Sequence, residues 1–84
     1  MSILATSHQL ETMRVYAASQ PAYSQELREL DRMIATKERL TRLFGEQSDD
    51  YDLYYAQATG DISQATLNWA VRLLPLMDAD GRIL

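Results

Sequence analysis

Eighty-four residues, 46 % hydrophobic and 24 % charged, suffice for one folded domain spanning 1–84 with a thin core, since a chain this short buries about 60–65 % of its unfolded surface. The absence of Cys and the single His, His8, exclude disulfides, thiolate metal sites, a Cys nucleophile and a His-rich zinc site. A net charge of −4 and a pI of about 4.7 leave no basic footprint for direct nucleic-acid binding, and no apolar run approaches the roughly 20 residues of a membrane span.

Met1 to Ala5 is a short apolar start without a basic segment, so no signal peptide is expected and the expected address is the cytoplasm. Thr6 and Gln9 have capping-box spacing, a hydroxyl at the N-cap and an amide three residues on. They predict a first helix from Ser7 to Ala18, with Leu10, Met13 and Ala17 on one face and Arg14 and Tyr16 to the side. Ser19, Gln20 and Pro21 break it, because the residue before a proline avoids the helical region.

The stretch Tyr23 to Phe44 is the element the rest must cover. Tyr23, Leu27, Leu30, Met33, Ile34, Leu40, Leu43 and Phe44 recur mostly in steps of three or four, one stripe on a helix of about six turns. Glu26, Glu29 and Asp31 lie toward its start and Lys37, Arg39 and Arg42 toward its end, the order that complements the helix dipole. Pro21 suits the first turn and Gly45 the stop.

A third helix is expected to be capped by Ser48, with Asp49, Asp50 and Asp52 in its first turn and Tyr51, Leu53, Tyr54 and Tyr55 behind them, ending near Gly60. Asp61, with Gln64 three residues on, is expected to open the last helix. That helix carries two adjoining apolar faces. One runs through Ile62, Ala65, Trp69, Leu73 and Leu76; the other runs through Leu67, Ala70, Val71, Leu74 and Met77. Together they exceed the stripe a bundle helix ordinarily hides. Pro75 predicts a kink or an end, Asp78 to Gly81 a turn, and Arg82 to Leu84 an apolar tail. No segment alternates at period two. The expected fold is therefore all-α: a small bundle of three to four helices built on a long central helix.

The residues that could carry chemistry have plainer roles. Ser7 beside His8 lacks an orienting third group and an oxyanion site, so capping explains both and no enzyme is expected. Asp49, Asp50 and Asp52 have the wrong spacing for a calcium loop, and Asp78 and Asp80 are followed by Arg82 at a ligand position, so neither metal nor cofactor is expected. What remains is surface. Tyr51, Tyr54 and Tyr55 with Asp49, Asp50 and Asp52 form one candidate partner-binding cluster, and Trp69, Leu73 and Leu76 form another. The implied function is binding another protein, as an adaptor, an export-type chaperone or a regulatory subunit. The alternative is an acidic inhibitor, for example of phage origin, that occupies the nucleic-acid-binding site of a target. The second apolar face of the last helix further predicts a homodimer.

Overall fold

Thr6 and Gln9 close the capping box from both sides. The Gln9 N–H donates to Thr6 Oγ1 at 3.1 Å, and the Thr6 N–H donates to Gln9 Oε1 at 2.9 Å. The computed structural model describes residues 5–45 and 51–84, and within them this box starts α1 (Ser7–Ala18). A 3₁₀ turn, Pro21–Tyr23, follows the break and feeds α2 (Ser24–Phe44). Gly45, at φ +61°, stops α2 in a conformation other residues disfavour. Then come α3 (Leu53–Ala58), α4 (Gln64–Leu73) and a second 3₁₀ turn, Leu74–Leu76, where Pro75 removes a helical donor. The fold is all-α, built on α2, and no strand occurs among the described residues; Met77 and Ile83 form one isolated antiparallel bridge.

α1 lays Leu10, Met13 and Ala17 onto α2, which answers with Leu30 and Met33. Tyr23, Leu27, Ile34 and Leu40 are half-buried against the same core. The predicted stripe ends there, because Leu43 and Phe44 are more than half exposed. The reason is length: the 12 residues of α1 span about 18 Å against about 32 Å for the 21 of α2.

Two predicted caps are replaced. Asp52 caps α3, its Oδ1 accepting the Tyr55 N–H at 2.8 Å; Ser48, Asp49 and Asp50, placed at that start from the sequence, lie outside the described residues. Ser63, not Asp61, caps α4, with its Oγ accepting the Thr66 N–H at 3.2 Å. Asp61 is engaged elsewhere. Its Oδ2 accepts the Tyr51 hydroxyl at 2.5 Å, and its carbonyl accepts Arg32 Nε at 3.1 Å. Burial and the bond to the Asp61 carboxylate together push the Tyr51 phenol well above its usual range.

α2 supplies the second half of that cap. Glu29, buried on α2, accepts the Ser63 N–H on one carboxylate oxygen, and on the other the Thr66 hydroxyl at 3.0 Å and the Ser63 hydroxyl at 3.3 Å. A capping box ordinarily draws this acceptor from the third residue of its own helix. Here a carboxylate from a different helix takes the place, and it also faces the positive end of the α4 dipole. Burial raises the Glu29 pKa, but the bonds from Gln25, the Ser63 amide, Thr66 and the Ser63 hydroxyl outweigh that, and the carboxyl is held below its ordinary value.

Candidate protein-interaction face

The opposite end of α4 meets α1 through the C-terminal segment. Asp78 Oδ1 accepts the Asp80 and Arg82 amides at 2.9 and 3.0 Å, which folds residues 78–82 into a tight turn. The N-cap of α1 and two of its side chains grip it. The Thr6 hydroxyl donates to the Ala79 carbonyl at 2.6 Å, Gln9 Nε2 to the Asp78 carbonyl at 3.0 Å, and the Thr12 hydroxyl to the Gly81 carbonyl at 2.8 Å. Gly81 permits this approach. It sits at φ +78°, and a Cβ there would lie 2.5 Å from the His8 carbonyl oxygen and from Thr12 Oγ1. The Asp78 carboxylate thus serves the turn.

Beyond the turn, the bridge and the Leu84 N–H bond to the Leu76 carbonyl (2.9 Å) hold Ile83 alongside Met77. Between this segment and α1 runs a groove of about 620 Å³. Met13 and Met77 floor it, Val15 and Tyr16 form one wall, and Leu73, Leu76 and Ile83 form the other. Val15 is 57 % exposed, Leu76 53 % and Ile83 72 %. Thr12, Ser19 and Glu11 supply the polar rim. Glu11 is held by Arg14 in an ion pair of 2.5 Å, so the rim presents little free charge.

The Tyr16 wall is backed by rings. Tyr16 stacks on Trp69 with centroids 6.2 Å apart and planes 12° apart, and Tyr23 closes the cluster at 5.6 Å from each. The neighbouring Tyr23 hydroxyl raises the Tyr16 pKa above the ordinary phenol value. Trp69 is therefore buried by two tyrosines and is not itself a contact surface.

The residues singled out from the sequence part company here. Leu73 and Leu76 line the groove, while Trp69 lies beneath its wall. Tyr51 and Asp52 are buried and used by the fold, whereas Tyr54 and Tyr55 are exposed, with Tyr55 edge-on to Tyr51 at 5.7 Å. Asp49 and Asp50 lie outside the described residues. The second apolar face of α4 is largely covered within the chain. Leu67, Ala70 and Met77 are buried, and Val71 and Leu74 half-buried, because α2, α3 and the C-terminal segment close on it. Val15, Tyr16 and Ile83 were not anticipated as surface. The signal for Val15 and Tyr16 is that they form a second apolar pair on α1, off the Leu10, Met13 and Ala17 face.

Ser7 and His8 are exposed in the first turn of α1. Among the described residues, no group of three or more His, Cys, Asp or Glu is placed to hold a metal ion, and no helix is long and apolar enough to cross a membrane. No protein-family model matches the chain, and neither a curated protein nor a solved structure shows significant similarity to it.

Proposed function

We propose that the chain is a small interaction module, of the adaptor, export-type chaperone or regulatory-subunit kind, that holds an amphipathic helix of another protein in the groove between α1 and the C-terminal segment. The observation carrying this reading is the open apolar groove itself, with Val15, Leu76 and Ile83 more than half exposed around a methionine floor. Exposed apolar patches mark interaction sites. A helix presents anchors at steps of three and four to such a groove. The rim carries one ion pair and no cluster of one sign, so binding rests on apolar area and varies little with salt. The Cys-free composition suits the cytoplasmic address that goes with this proposal.

The acidic-inhibitor reading has less support. It would use Asp49, Asp50, Asp52 and Asp61 as phosphate surrogates, and two of these four have roles in the fold: Asp52 caps α3, and Asp61 accepts the Tyr51 hydroxyl. The test is affinity capture from the native host with the wild-type chain, Leu76→Asp and, as a control on the tyrosine cluster, Tyr54→Ala. The expected result is a partner kept by wild type and Tyr54→Ala, in low and high salt, and lost by Leu76→Asp. A partner indifferent to Leu76→Asp, and released by salt, would overturn the reading.

A further inference from the structure

The outer side of α2 carries a row of arginines. Arg28, Arg32, Arg39 and Arg42 are all exposed, with exposed Ala35 at the middle of the row. At about 100° per residue these positions fall within roughly 80° of the helix circumference, opposite the buried Leu30 and Met33. The row is about 21 Å long. Half of the eight Lys and Arg residues of a chain with net charge −4 stand on this one ridge. The acids of α2 are turned away from it. Glu29 is buried against the start of α4, and Glu26 sends one carboxylate oxygen into the interior. Asp31 and Glu38 stand on the flank toward α1. There Asp31 acts electrostatically on Arg14, and Glu38, with Arg42 at the edge of the row, borders a cleft with Ser7 and His8. Arg32 Nε donates to the Asp61 carbonyl, a neutral acceptor that leaves the guanidinium charge uncompensated. No carboxylate of the described residues is ion-paired to any of the four arginines.

Along the row the steps are four, three, four and three, the spacing at which a helix laid alongside meets side chains turn by turn. We propose that this ridge docks an acidic helix of a second protein, one carrying Glu or Asp in the same register, with Ala35 admitting the partner's backbone at the centre. Opposite charge supplies the attraction, and guanidinium forks match carboxylates in pairs. A nucleic acid fits less well. A helix in a major groove meets phosphates on both flanks, and one flank here holds Asp31 and Glu38. The ridge is separate from the apolar groove, and the inference does not depend on what the groove binds.

Fluorescence anisotropy tests this with a labelled, Ala-rich helical peptide whose Glu residues are set in that register, the full chain being titrated at low and physiological salt. A second peptide of the same composition has its Glu residues spread around the helix, and a DNA duplex serves as the nucleic-acid probe. Arg28→Gln with Arg39→Gln removes half of the row; Arg72→Gln with Arg82→Gln removes equal charge elsewhere. All four positions are exposed, so both variants are expected to fold as wild type, which circular dichroism checks. The registered peptide is expected to bind wild type and the control variant alike, to bind the Arg28 and Arg39 variant about tenfold more weakly, and to be released by salt. The spread peptide is expected to bind wild type at least about threefold more weakly than the registered one. No binding of the registered peptide by wild type up to about 1 mM at low salt overturns the inference. Equal binding of the two peptides, equal loss in the two double variants, or tighter binding of the DNA duplex than of the registered peptide also overturns it. The same variant keeps the two surfaces apart in the capture from the host: a salt-released partner lost on Arg28→Gln with Arg39→Gln belongs to the ridge, and one that survives it counts against the groove.

Discussion

The two ends of α4 are built on opposite principles. At its start, a buried carboxylate, an amide and two hydroxyls satisfy one another, and Tyr51, Asp61 and Arg32 form a second closed set nearby. At its end, Leu73, Leu76 and Ile83 wall a groove left open to solvent. Closed polar sets fix where a helix sits, because each member left unpaired carries a desolvation penalty. Open apolar surface fixes nothing and is available to a partner. The comparison teaches that closed polar satisfaction and open apolar surface lie at different ends of one ten-residue helix, so substitutions at the two ends are expected to fail in different ways.

The largest expected effect is at the closed end. Glu29→Ala removes the acceptor for the Ser63 amide and the Thr66 hydroxyl, and bonds to charged groups contribute about 1.5–3 kcal/mol each. A loss of about 3 kcal/mol is expected by chemical denaturation, against the 5–15 kcal/mol of a typical domain. A loss under about 1 kcal/mol would show that the two ends do not differ in kind. Gly81→Ala probes the anchored turn beneath the open end. The added Cβ meets the His8 carbonyl at a positive φ, and a loss of about 1–3 kcal/mol is expected in the same assay. Tyr51→Phe removes one hydroxyl bond to Asp61 and should lower stability by about 1 kcal/mol.

Acid sharpens the comparison further. The folded Glu29 carboxyl titrates below its unfolded value of about 4.3. Its contribution is therefore fully present above that pH and is lost as pH falls through the folded pKa. The stability gap between wild type and Glu29→Gln should be constant near neutrality and narrow below about pH 4 in pH-resolved melts. The smallest effect on stability is expected from Leu76→Asp, within about 0.5 kcal/mol because the side chain is exposed. That same variant is expected to abolish binding, and a large drop in its melting temperature would break the division between the ends.

The sequence spells out whatever is local. Thr6 with Gln9, Pro21 and Gly45 mark the bounds of α1 and α2, because each signal and its consequence lie within one turn. The start of α4 is a different case. Asp61 and Ser63 are both good caps, and what decides between them is Tyr51, ten residues back, and Glu29, thirty-four residues back. Periodicity likewise continues through Leu43 and Phe44 because nothing in a stripe records where its cover ends. Of the three clustered tyrosines, only tertiary contacts separate buried Tyr51 from exposed Tyr54 and Tyr55. The groove was half legible: Leu73 and Leu76 follow from the excess girth of α4, whereas Ile83 enters it only because a glycine lets the turn close on α1.

The ring cluster makes the molecule its own optical sensor. Trp69 is the only tryptophan in the chain, and Tyr16, whose outer side faces the groove, lies 6.2 Å from it. At that separation, light absorbed by Tyr16 is passed to Trp69 and emitted there. A helix settling on Tyr16 would cover the outer side of the cluster and leave the indole buried, while release of α4 from Glu29 would expose the indole and shift its emission to longer wavelength. One unlabelled chromophore thus distinguishes occupancy of the groove from opening of the fold.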